Sequence, residues 1–176
     1  MSESTTPNDG QAPAPNGSPD NAQPQPEGAP SLRVLAQYLK DLSFENPKAP
    51  GIYTALKGPP GISVNVDVNA RTIGNNQYEV ELSVASRAVN EDEPVFVAEA
   101  TYAGAFEILN VPEEQIEIVL LVECPRMIFP FVRQILSDTT QSGNFPPVLL
   151  DPIDFLAIYE QRKLREQQAA QGGAAV

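Results

Sequence analysis

The chain has 176 residues, enough for one hydrophobic core, and sets 23 acidic against 11 basic side chains for a net charge of -12, with no histidine. Such a balance excludes nucleic acid and anionic membrane surfaces as partners, because both need clustered Lys and Arg, and it favours basic partners where charge selects. A single cysteine, Cys124, rules out an intrachain disulfide. There is no run of roughly 18 apolar residues and no basic-then-apolar start, so the expectation is a cytoplasmic protein without membrane insertion.

Residues 1–30 hold seven prolines, four acids and no base, among mostly small polar residues. That composition buries too little apolar surface to offset ordering, so a disordered acidic arm is expected, followed by a folded domain over 31–163. From Ser31 to Glu45 the pattern becomes alternating, with Tyr38, Leu42 and Phe44 against Gln37, Asp41, Ser43 and Glu45, and Leu39 out of step. A connector bounded by prolines and glycines and carrying Ile52, Tyr53 and Leu56 follows; at about fifteen residues it is long for a plain loop. Ile62, Val64, Val66, Val68 and Ala70 mark a second strand, Tyr78 to Val84 a third, and Val95 to Ile108 a fourth, with turns at Gly74-Asn75-Asn76 and Asn90 to Pro94. Four consecutive strands with short hairpins predict an antiparallel sheet with one covered face. Its other face is acidic, carrying Asp41, Glu45, Asp67, Glu79, Glu81 and Glu99.

Gln115 to Gly143 reads as one long helix. Ile116, Val119, Leu120, Met127, Phe131 and Ile135 fall at helical steps, and Leu121, Val122, Ile128 and Phe129 widen the stripe beyond what one packing face needs. Pro125 and Pro130 predict a break or kink near its middle, and the apolar excess predicts burial by a neighbouring subunit as well. Val148-Leu149-Leu150 forms an extended link. Asp151-Pro152 then looks like the cap and first turn of a shorter helix bearing Ile153, Phe155, Leu156, Ile158 and Tyr159, which frays into a flexible tail over 164–176. The fold class is α+β.

Chemistry is thinly represented. Without histidine the commonest general base and metal ligand are missing, and no zinc spacing exists. Cys124 beside Glu123 is a core or interface filler rather than a nucleophile. The acid pairs Glu113-Glu114 and Glu91-Asp92-Glu93 belong to turns and a helix start. The expectation is no enzyme, no metal and no cofactor. Tyr53, Leu56, Phe155 and Tyr159 instead outline a groove between connector and second helix that would accept apolar segments of another chain.

Four ordered motifs carry a resemblance. Lys40-Asp41-Leu42-Ser43-Phe44-Glu45-Asn46-Pro47, Cys124-Pro125-Arg126-Met127-Ile128-Phe129-Pro130-Phe131, Gly143-Asn144-Phe145-Pro146-Pro147 and Leu150-Asp151-Pro152-Ile153-Asp154-Phe155 resemble the SecB protein-export chaperones, with the extended N-terminus of alphaproteobacterial members. The resemblance implies a homotetramer, a dimer of dimers, that holds unfolded precursor polypeptides without ATP and delivers them to the translocation ATPase SecA. It implies client contacts at Tyr53, Leu56, Phe155 and Tyr159, and SecA contacts at Asp41, Glu45, Val97 and Glu99. It also implies subunit contacts at Ala98, Ala100 and Tyr102; the apolar excess of the helix adds Cys124 and Phe131. The connector lacks the tryptophan that many members carry. A non-catalytic adaptor for one folded partner and a small-ligand enzyme or carrier remain the alternatives.

Overall fold

The computed structural model describes residues 28–91 and 93–172; residues 1–27 of the expected arm and the last four of the expected tail lie outside them. Alternating sequence becomes four strands, β1 (Ser31–Glu45), β2 (Gly61–Gly74), β3 (Gln77–Asn90) and β4 (Glu93–Leu109), in one antiparallel sheet ordered β1-β4-β3-β2. The β2–β3 and β3–β4 turns place Asn76 and Glu91 at positive φ, 56° and 49°. The first connection is not a hairpin. β1 pairs with β4, so the connector must carry the chain from one sheet edge to the other, which explains its length and its short helix α1 (Ile52–Ala55) anchored by buried Ile52.

The irregular pattern of β1 has a local cause. Its register on β4 shifts between Val34 and Ala36 and between Leu39 and Asp41, so one unpaired residue at each point resets the alternation. Leu39 thereby faces the same side as Leu42 although their spacing is odd, since both stand opposite inward residues of β4, Tyr102 and Ala100.

The long helix is α2 (Glu113–Ile118), a π-helical turn (Val119–Glu123) and α3 (Cys124–Ser142). The expected interruption sits just ahead of Pro125, which has no N–H for the carbonyl of Leu121, and the turn widens there. Pro130 lies within α3 on its exposed side. The inner face of α3, with Ile128, Val132 and Leu136, packs on Val80, Leu82, Val84, Phe96 and Phe106, all almost wholly buried. Gly104 permits this approach: a Cβ there would lie 2.5 Å from the Phe106 ring and 3.3 Å from Ile128.

The last helix, α4 (Phe155–Gly172), differs from expectation at both ends. Its cap is Asp154, whose Oδ1 accepts the Ala157 N–H at 3.1 Å, while Asp151-Pro152 stays extended as part of the link lying along β2. Residues 164–172, expected to fray, continue the helix.

Candidate functional site

The outer sheet face is built by β pairing. Asp41 stands opposite Thr101, Ser43 opposite Glu99 and Glu45 opposite Val97, so Asp41, Glu45, Val97 and Glu99 share one corner of that face, with the three acids exposed and Val97 half-buried. Next to this corner the expectation of a uniformly wet acidic face needs correction. Glu79 is only 3% exposed, because the Tyr38 hydroxyl, Lys40 and the Arg71 guanidinium all donate to its carboxylate, and Lys40 also pairs with Glu81. The Arg71 and Tyr38 hydrogen bonds outweigh burial and pull the Glu79 pKa down to about 2, while the same carboxylate raises that of Tyr38. Alternation could place Glu79 on this face but could not reveal that its charge is spent on neighbours.

The four residues expected to line one groove are distributed over the molecule. Tyr53 donates its hydroxyl to the Gly143 carbonyl at 2.9 Å, accepts from Asn46 at 2.8 Å, and packs 5.5 Å from Phe145 in an aromatic cluster with Phe44 and Phe96. Leu56 is half-buried on the connector. Phe155 is 1% exposed, edge-on to Phe129 at 6.1 Å, and is a core residue. Tyr159 lines a hollow with Asn65, Asp67 and Asn69 of β2, under Lys163, whose Nζ lies 5.7 Å from its ring.

A different groove carries the exposed apolar surface. Ile62, Val64 and Val66 on the free edge of β2 face the link from Pro147 to Ile153 across about 480 Å³. Ile62, Val64 and Leu149 are 50%, 46% and 66% exposed. Thr140 fixes the link: wholly buried, it donates to the Leu136 carbonyl at 2.9 Å and accepts the Val148 N–H at 3.0 Å. Sequence reading assigned Ile62 and Val64 to a covered face; that they lie at an open edge follows from strand order, which alternation does not encode.

Compared with known proteins, residues 25–167 match the family described as preprotein translocase subunit SecB. Protein-export protein SecB of Xanthobacter autotrophicus is 49% identical over 86% of this chain and 97% of its own length, and that of Maricaulis maris 50% over 90% and 91%. The chain belongs to the SecB family of protein-export chaperones. Among solved structures, a SecB-like chaperone of Mycobacterium tuberculosis, in complex with a peptide from an antitoxin, shares the fold with a TM-score of 0.56 at 17% identity, covering 69% of this chain and 87% of that one.

In this SecB-family chain the residues expected at subunit contacts divide into two groups. Ala98, Ala100 and Cys124 are 0%, 2% and 0% exposed, closed off inside the chain between sheet and α3. Burial, then the Glu123 charge, pushes the Cys124 thiol up to about 12, so it stays protonated. Tyr102 and Phe131 do reach the surface. Their rings stack at 5.5 Å and 9°, Phe131 is 45% exposed, and Met127, Leu39 and Leu42 extend the same apolar strip. Leu39 and Leu42 were missed as surface residues; the signal for them was the out-of-step Leu39. No group of three or more potential metal ligands comes together among the described residues, and no helix there is long and apolar enough to cross a membrane.

Proposed function

We propose that this chain is an ATP-independent holding chaperone of the cytoplasm. It assembles as a homotetramer, a dimer of dimers, binds extended apolar segments of unfolded precursor polypeptides and passes them to SecA. Membership of the SecB family supports this reading, as does the peptide bound to the mycobacterial SecB-like chaperone. The observation that carries it is the open groove between β2 and the Pro147–Ile153 link, whose walls are almost entirely aliphatic. Burying apolar surface there at roughly 25 cal/mol per Å² gives modest affinity per segment, and repeated grooves on one particle raise it through effective concentration. Surface-reaching Tyr53, Leu56 and Tyr159 contribute further client contacts, with Phe155 supporting the base of α4 from within. Asp41, Glu45, Val97 and Glu99 form the SecA contact. No cofactor or metal takes part.

The test uses Val64→Asp and Leu149→Asp, both at exposed positions where the fold is spared. Each is expected to weaken capture of a reduced, unfolded protein about tenfold, the equivalent of roughly 1.4 kcal/mol. Anisotropy of a labelled client measures it, with native mass as the assembly control. Full capture by both variants would remove the groove from the reading.

A further inference from the structure

A second furrow, between β2 and α4, shares only Val66 and Tyr159 with the surfaces argued above. It joins two hollows of about 450 and 670 Å³ that share Asn69, Leu121 and Arg162. One end adds Tyr78 and Val111, the other Tyr159 and Arg165. We propose that this furrow is the docking site of the chain's own residues 1–27, which lie along it in cis as a proline-rich acidic ligand.

Three observations converge on that occupant. The first is where the described chain begins. Asn110 holds the Ala29 carbonyl at 3.0 Å, and Val111, its neighbour, is a wall of the furrow, so the preceding residues enter at its mouth. The second is chemistry. Six prolines in residues 1–27 favour extended polyproline conformations, and such segments bind grooves walled by aromatic rings at low ordering cost. Tyr78 and Tyr159 supply one ring at each end. The third is charge. Residues 1–27 carry four acids and no base, while Arg162, Lys163 and Arg165 bring three of the chain's eleven bases together on α4. Glu117 pairs with Lys163 at 2.7 Å and Glu166 with Arg162 at 3.1 Å, and Asp67 and Glu113 also line the furrow, so the attraction for the arm rests on Arg165 at one end. Arg165 makes no ion pair among the described residues.

Reach permits the match. Asp20 lies nine residue steps before Ala29, about 28 Å at the polyproline rise, with Pro24 and Pro26 between them. Because the ligand is tethered, its effective concentration is on the order of millimolar, and weak contacts suffice. Arg162 already donates to the Val68 carbonyl at 3.2 Å, which closes part of the β2 edge; the docked arm covers more of it.

The experiment places a nitroxide on Ala22→Cys in the full chain, where Cys124 is wholly buried and escapes labelling. Amide signals of Asn69, Leu121 and Arg162 are expected to lose intensity and recover when the nitroxide is reduced. Asp20→Lys, which leaves the described fold untouched, and Arg165→Glu are each expected to restore much of the signal; the two together re-pair the charges and renew the loss. In a mixture with label and isotope on different chains, the signals are expected to stay intact. Signal loss spread over other surfaces, no loss at all, or loss in the mixed sample from docking on a second copy would each overturn the proposal. No client is present, so its failure is distinct from failure of the groove reading.

Discussion

Glu79 stands directly opposite Ala105 of β4 and Arg71 of β2, and Tyr38 reaches it from β1 across the small side chains of Ala103 and Ala105. One carboxylate therefore ties three strands together over a fourth. Its folded pKa of about 2 lies below the ordinary 4.5, so the sign is fixed: the stabilisation is fully present above about 4.5 and is lost as pH falls towards 2. Between pH 5 and pH 3 the urea midpoint of the native protein is expected to fall further than that of Glu79→Gln, which has no charge to protonate. Parallel falls in the two proteins would show that the cluster is not coupled to folding. The same scale separates packing from recognition at α4: with Phe155 wholly inside the core, loss of client capture on its truncation reports a damaged fold, whereas Val64 and Leu149 report the surface.

Elements are where the sequence was most informative and where its limits were physical. The valines of β2 and β3 and the helical steps of Leu120, Met127, Phe131 and Ile135 announce strand and helix, because their side chains answer to a local period. The buried face of α3 is nevertheless that of Ile128, Val132 and Leu136, while Met127 and Phe131 are exposed. Pro125 announces the widened turn before it because a missing N–H is a local fact. The β1–β4 pairing, by contrast, joins residues as far apart as Ser31 and Leu109, and no periodicity reports it. The groove between β2 and the link inherits that limit, since Ile62 and Val64 read the same in a central strand and at an edge. The end of α3 depends on two polar residues, Asn144 and Thr140. Asn144 takes positive φ, 61°, and turns the chain so that Val148 can donate to Thr140. Thr140→Val keeps the shape but leaves that buried N–H unpaired, at a cost of about 1–3 kcal/mol. Urea unfolding measures the loss, and faster hydrogen exchange at Val148 localises it. An unchanged midpoint would mean that the link is held by its aliphatic contacts alone.

At the scale of the whole molecule, the two faces of the sheet divide the labour. The inner side ends in an apolar strip of Leu39, Leu42, Tyr102, Met127 and Phe131 along one flank, too contiguous to be left in water. Phe131→Asp is expected to shift the native mass towards smaller species, since a charge there must be buried unpaired if subunits meet along the strip. An intact assembly in that variant would move the contact elsewhere. The outer side ends in the corner of Asp41, Glu45 and Glu99, where the acids stay exposed while Glu79 and Glu81 are neutralised by Lys40 and Arg71. A partner steered by charge would therefore meet this corner rather than the sheet centre. Asp41→Lys with Glu99→Lys exchanges two exposed negative charges for two positive ones without touching the core. SecA association is expected to slow and weaken, and its salt dependence to flatten or invert, because added salt then screens repulsion instead of attraction. Stopped-flow association across a salt series reads both effects. A rate that keeps its native salt slope in the reversed protein would place the docking surface away from this corner, whatever the affinity.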